Sequence, residues 1–222
     1  MRKWKSVLGG KAVYVRSSSN AEDTGKFSGA GLYSSVENVT QESKIAEAVK
    51  TVWASVWNFQ AYEARERNFV EHDGTYMAVL IQIGVAMDNG GVMVTKDPYD
   101  PQNKGAVYIS STYGHNLSVT NPAEAKKRPI PEQILFTPKS NSVQVLTRSD
   151  QETMFVPVAG GGLKEVPFTS KRRVLSDAVA RSLVRAANEI KAVFGGVEQD
   201  IEWGIMKGRL YIVQARPYID KK

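Results

Sequence analysis

The sequence predicts an α+β fold in two subdomains. Three observations lead there. Apolar positions recur with strand and helix periods in the order strands, helix, strands, helix, strands. The 222 residues are enough to bury a sizeable core. No repeat, low-complexity tract or long linker interrupts them. The first subdomain is expected over residues 1–75 and the second over 76–222.

Lys11–Arg16 reads as a strand running into a Ser/Gly loop, Ser17–Gly31, and Leu32–Val39 returns as a second strand. From Glu42 to about Arg67 the period becomes helical: Ile45, Val49, Val52, Trp53, Val56 and Trp57 recur at three- and four-residue steps. Thr40 is the expected N-cap, and both tryptophans are expected in the core. Tyr76–Val85 and Gly91–Thr95 read as strands buried on both faces. Lys96–Pro101 is a turn, Gly105–Ser111 another strand, and Glu124–Pro131 a connector. Ile134–Thr137 and Val143–Thr147 form a hairpin, and Gly160-Gly161-Gly162 a turn. Ser176 caps a helix whose stripe is Val179, Leu183, Ala186, Ala187, Ile190, Val193 and Phe194, stopped by Gly195-Gly196.

Composition excludes several chemistries. There is no cysteine, so disulfides, thiolate metal sites and cysteine catalysis are out. Two histidines, His72 and His115, do not make an ordinary zinc site. His72, beside Asp73-Gly74, reads as a turn residue, and His115 as a loop residue. The net charge of +6 favours anionic ligands, but no aromatic-interleaved basic stripe accompanies it, and the cluster Lys171-Arg172-Arg173 runs to only three residues. Nucleic acid is therefore not the expected partner. No stretch has the length of a membrane span and the first residues lack a signal-peptide pattern, so a cytoplasmic location is the default expectation.

The end of the chain carries the densest chemistry. Asp200 and Glu202 stand two residues apart, and Gln214 and Arg216 follow after Lys207-Gly208. On a hairpin, carboxylates, an amide and a guanidinium would meet, a set suited to a metal ion and a polyphosphate. Register decides it. A two-residue Lys207-Gly208 loop turns Glu202 away from Gln214. A three-residue loop, Met206-Lys207-Gly208, puts Asp200, Glu202, Ile212, Gln214 and Arg216 on one face, and this loop is the expectation. The competing reading is a surface hairpin with scattered charges.

Four collinear stretches resemble one family. Val15-Arg16-Ser17-Ser18-Ser19-Asn20-Ala21-Glu22-Asp23 with Phe27–Tyr33 looks like the start of the nucleotide-binding domain of phosphoenolpyruvate synthase, pyruvate phosphate dikinase, the glucan water dikinases and rifampicin phosphotransferase. Val52–Asn58 with Ala61-Tyr62 and Arg65 resembles the family helix, especially that of the glucan water dikinases. Gly91-Val92-Met93-Val94-Thr95-Lys96-Asp97-Pro98 is similar to the family's Gly-Val-x-Phe-Thr-Arg-Asp-Pro, and Gln199–Glu202 with Gln214–Pro217 to its closing motif.

The resemblance implies an ATP-grasp-like fold, two subdomains around a nucleotide cleft. It implies ATP and Mg2+ as ligands and phosphoryl transfer to a histidine on a separate swivelling domain. It implies catalytic roles for Arg16, Arg65 and Arg216. Nucleotide binding falls to those three with Gln82, Ile83, Glu202 and Gln214, and metal binding to Asp200, Glu202 and Gln214. Other roles stand beside these: Arg16 pairing Glu22 or Asp23, Arg65 as a solvated helix charge near Glu63 and Glu66, and Gln82-Ile83 as ordinary strand.

Three departures from the family pattern matter. The upstream Gly-Gly-Lys-Gly motif has no counterpart, since Gly9-Gly10-Lys11 lies too close to Arg16. The Gly-Leu-Gly-Glu acid is missing from Tyr113-Gly114-His115-Asn116-Leu117. Neither histidine sits in a Thr-x-His-Ala context, and the acceptor barrel is absent, so the chain is expected to need a phosphohistidine-carrying partner. The first reading is thus the ATP-binding portion of a dikinase-type phosphotransferase. The alternative is a degenerate ATP-grasp module with a binding or regulatory role. A third, carbohydrate binding on Tyr99, Tyr108 and Tyr113, ranks below both.

Overall fold

A computed structural model describes residues 7–22, 29, 31–121, 128–170 and 172–219. Parts of three sequence readings lie outside these residues: the Ser/Gly loop at 23–28 and 30, the connector at 124–127, and Lys171. The chain divides into two compact units, residues 1–84 with 157–164, and residues 85–156 with 165–222. The first division therefore falls after Gly84 rather than after residue 75.

Unit 1 explains that shift. Its sheet has the antiparallel order β2-β1-β3, with β1 Val13–Ser19, β2 Val36–Val39 and β3 Met77–Ile83. The third strand is held to the first along seven consecutive pairs from Val13–Ile83 to Ser19–Met77, so it belongs with the first unit. Val13 and Val15 point into a core with Val39, Ala48 and Val52. Leu80 is 53% exposed. The strand expected to be buried on both faces is therefore an edge strand with one open face.

Helix α1 runs Glu42–Ala54, a 3-10 turn covers Ser55–Trp57, and α2 runs Phe59–Arg67. The single long helix expected here is broken because Asn58 leaves helical dihedrals at φ −56°, ψ 141°. The N-cap is Gln41 rather than Thr40, and it makes no side-chain capping bond. Trp53 and Trp57 are 54% and 60% exposed, not core. They line a surface cavity of about 280 Å3 with Val56, Thr75, Tyr76 and Met77. Residues 157–164 complete the unit: Asn38 Nδ2 donates to the carbonyls of Val158 and Gly162, and Gly162 N donates to Asn38 O.

Unit 2 is built on a six-stranded antiparallel sheet, order β11-β10-β4-β5-β6-β7. Its strands are β4 Asn89–Val94, β5 Val107–Tyr113, β6 Glu132–Thr137, β7 Ser142–Thr147, β10 Gln199–Met206 and β11 Arg209–Pro217. A four-residue helix α3, Leu117–Thr120, follows β5. A two-stranded ribbon, β8 Thr153–Pro157 with β9 Leu163–Pro167, was not foreseen; its tip carries Gly160–Gly162.

Helix α4, Asp177–Val193, covers one face of this sheet. Ala180, Leu183, Val184 and Ala187 pack with Met93, Ile109, Ile134, Ile201 and Trp203. Ser176 caps it as expected, accepting from Val179 N at 3.3 Å. The apolar stripe ends early, since Val193 is 83% exposed. The approach to α4 is anchored by Glu132, fully buried, whose carboxylate accepts from Val174 N and Leu175 N. A buried carboxylate is tolerated there because backbone donors replace its water.

Candidate functional site

The closing hairpin turns through two residues, not three. Met206 pairs with Arg209, and Lys207 and Gly208 both have positive φ, 51° and 76°. The expected Met206-Lys207-Gly208 loop is thus overturned. Yet Glu202 stands opposite Gln214 and Asp200 opposite Arg216, because the register shifts between Glu202 and Trp203, with Val213 as the extra residue. A one-residue bulge after a two-residue turn restores the parity that a three-residue loop would have set. Ile212 is the exception: it pairs with Trp203, outside the acidic row.

Cross-strand partners share a face, so register extends the site across the sheet. One row reads Gln214, Glu202, Val92, Ser110, Gln133, and the next Arg216, Asp200, Val94, Tyr108, Leu135. Ile201 and Trp203 point the other way, into the core beneath α4. Glycine shapes one end of the polar face. A Cβ on Gly90 or Gly204, which pair with each other, would stand 2.8 or 2.6 Å from the Met87 side chain. Asn116 crowds Gly90 on the same side, at 2.9 Å from that Cβ.

Within the face, Arg216 Nε and Nη2 both donate to Asp200 Oδ2, at 3.0 and 2.8 Å. The two side chains are 20% and 24% exposed. Both donors converge on one oxygen, and Oδ1 keeps its acceptor capacity. With Glu202 and Gln214 in the adjacent row, the face presents hard oxygen donors beside a guanidinium. That set fits Mg2+, which favours few protein oxygens together with water and substrate phosphates. Among the described residues no group of three or more His, Cys, Asp or Glu could hold a metal, which excludes an all-protein cage there.

The remaining expected residues lie in unit 1. Arg16 is on the sheet face away from α1, in the pairing row with Leu80 and next to the Tyr14–Gln82 pair. Gln82 thus shares the Arg16 face, whereas Ile83 pairs with Val13 and is 41% exposed. The Tyr14 phenol is pushed well up, first by burial and then by the Glu37 charge, with Arg16 pulling the other way. Its ring lies over Gly84, where a Cβ would come within 2.6 Å. Glu22, offered as a partner for Arg16, accepts from Ser19 N at 3.2 Å.

Arg65 is fully buried rather than a solvated helix charge. Its Nη2 donates to Val56 O at 2.7 Å and its Nε to His72 Nδ1 at 3.0 Å, while Nη1 is buried with no hydrogen-bond partner. His72, read from sequence as a turn residue, stacks on Tyr62 at 4.1 Å between centroids. His115 is 4% exposed and its Nδ1 accepts from Leu117 N at 3.2 Å, so it holds the start of α3. Tyr113 is half-buried and its hydroxyl donates to Arg173 O at 2.9 Å, and Tyr108 is half-buried too; neither is an open aromatic platform. Only Tyr99 of that trio is well exposed, at 71%.

Comparison with known proteins identifies the family. Residues 2–222 match the family described as pyruvate phosphate dikinase, AMP/ATP-binding domain. A probable phosphoenolpyruvate synthase of Archaeoglobus fulgidus is 33% identical over 218 residues, covering 94% of this chain and 27% of that protein. A rifampicin phosphotransferase of Streptomyces is 31% identical over 209 residues, 93% of this chain and 23% of that protein. The phosphoenolpyruvate synthase of Pyrococcus furiosus is 29% identical over 214 residues, 92% and 26% respectively. The chain thus spans about a quarter of the length of these relatives. A match over nearly every residue, with a mixed α/β architecture of antiparallel sheets and a carboxylate–amide–guanidinium face, establishes that the chain belongs to the AMP/ATP-binding domain family of pyruvate phosphate dikinase.

Proposed function

We propose that this ATP-binding domain is an ATP-grasp-like module that holds Mg·ATP and presents it for phosphoryl transfer to a histidine on another domain or protein. The observation that carries the reading is the Asp200/Glu202/Gln214/Arg216 face, brought into register by the Val213 bulge. Asp200, Glu202 and Gln214 would hold the metal, which would supply charge neutralisation toward bound phosphate. Arg216, oriented by Asp200 Oδ2, donates to phosphate oxygens as charge develops on the transferred group. Within unit 1, Arg16 offers a guanidinium suited to phosphate oxygens, and Gln82 and Ile83 offer strand backbone suited to an adenine edge. Arg65 enters only if a phosphate reaches its buried, unpartnered Nη1. Relatives named phosphoenolpyruvate synthase and rifampicin phosphotransferase support phosphoryl transfer of the dikinase type. No helix among the described residues is long and apolar enough to cross a membrane, and a cytoplasmic setting, where ATP is at hand, belongs to this reading.

Ligand linkage tests it. Mg·ATP at about 100 times its Kd should stabilise the domain by about 2.7 kcal/mol, seen as a rise in Tm, and Glu202→Gln should remove the metal-dependent part. No shift at millimolar nucleotide would sink the reading. The second reading, a degenerate module without catalysis, is favoured by Leu117 at the end of the Tyr113–Leu117 stretch, where the family acid is replaced and His115 is committed to α3. It expects Glu202→Gln to leave ligand binding unchanged.

A further inference from the structure

We propose that His72, held by Glu66, is the positioning residue for the Arg65 guanidinium; the consequence for nucleotide binding rests on the Arg65 assignment above. Arg65 Nε can donate only to a ring nitrogen that carries no proton, so the 3.0 Å bond makes His72 Nδ1 the acceptor. The proton then sits on Nε2, which donates to Glu66 Oε1 at 2.6 Å. The carboxylate thus fixes one tautomer, and the tautomer fixes the guanidinium. Stacking on Tyr62 at 4.1 Å and 5° sets the ring plane, and the Trp57 ring lies 6.2 Å away, tilted by 37°.

Val56 O takes Nη2 of the guanidinium at 2.7 Å, and the Trp57 ring lies 5.7 Å from Cζ. Nε and Nη2 are thereby tied down. Nη1 is left buried without a partner in a residue that is itself 0% exposed. An unmatched buried cationic donor is costly, and a structure that fixes the other two nitrogens aims the third at an acceptor. An anionic oxygen, such as one on a polyphosphate, answers that chemistry.

The test separates hydrogen bonding from packing. In the wild-type chain, 15N spectra should show an unprotonated Nδ1 and a protonated Nε2 on His72, with a slowly exchanging Arg65 Nε–H. A protonated Nδ1 would overturn the proposal without any variant. His72→Phe keeps the stack on Tyr62 but removes both bonds; the Nε–H signal should broaden and Mg·ATP binding weaken about tenfold. His72→Gln restores an acceptor and a donor and should recover most of both. Equal behaviour of Phe and Gln would show a packing role only and sink the proposal. Arg65→Met reports separately: unchanged Mg·ATP affinity in that variant, with the Nε–H signal of chains that keep Arg65 still obeying the His72 substitutions, would remove the phosphate assignment and leave the positioning intact.

Discussion

Arg216 and Arg65 are both fixed by a neighbour, yet in opposite ways. Arg216 sits on an open sheet face at 20% exposure and is held by a carboxylate, charge against charge. Arg65 is buried in unit 1 and held by a neutral imidazole and a backbone carbonyl. The first arrangement leaves a charged pair at the surface that a metal or phosphate can rearrange. The second keeps a full positive charge in a low-dielectric setting with one donor unspent. A polar face can be remodelled by its ligand; a buried cation is coupled to the folding of its unit.

Four experiments break or sharpen this contrast. The largest effect is expected from deleting Val213. The residues from Gln214 to Pro217 would change face, turning Gln214 and Arg216 toward the core under α4 and Ala215 outward. Unit 2 should lose on the order of 4 kcal/mol by chemical denaturation, and metal-dependent nucleotide binding should vanish. Next, Arg65→Met strands the Val56 carbonyl and His72 Nδ1. A loss of about 3 kcal/mol is expected, read as a lower denaturation midpoint; a loss under 1 kcal/mol would mean the buried cation contributes nothing net.

Asp200→Asn should leave stability within about 1 kcal/mol, because the pair it breaks is partly exposed, while Mg·ATP affinity drops at least about tenfold by calorimetry. The reverse pattern would make Asp200 structural. The smallest effect concerns the turn: Lys207, at φ 51°, is a non-glycine residue in the left-handed region before Gly208. Lys207→Asn gives the favoured Asn-Gly pair and should raise stability by about 0.5 kcal/mol, with nucleotide affinity unchanged.

Acid denaturation adds a check within unit 2. Burial raises the Asp97 carboxyl, but hydrogen bonds from Asn103 Nδ2, Tyr99 N and Asp100 N outweigh it, and the group titrates below its ordinary range. A depressed carboxylate stabilises above its unfolded value and loses that contribution as pH falls through the folded one. Asp97→Asn should therefore cost stability at neutral pH and flatten the acid limb below about pH 4.

Legibility followed the range of the interactions. Ser176 as a cap, the β6–β7 hairpin and the grouping of Asp200, Glu202, Gln214 and Arg216 were readable because each depends on alternation or capping within a few residues. The route to that grouping was not. The bulge lies where Trp203 enters the core under α4, and no count of loop residues reveals it. Trp53 and Trp57 fit the helical period yet lie exposed, because the neighbouring Val52 and Val56 take the buried side. His72 does open a turn, with Thr75 N donating to its carbonyl, but its side-chain partners Arg65 and Glu66 face it only once α2 and the following loop have folded.

By itself the sequence determined the α+β character, the motif order and the residue types able to meet a metal polyphosphate, since period, composition and spacing are local properties of a chain. Tertiary structure decided which side of each strand those residues occupy, that β3 belongs with the first unit, and that Arg65 is buried against a neutral histidine. Those outcomes depend on register and burial, which are set by contacts between residues far apart in the chain.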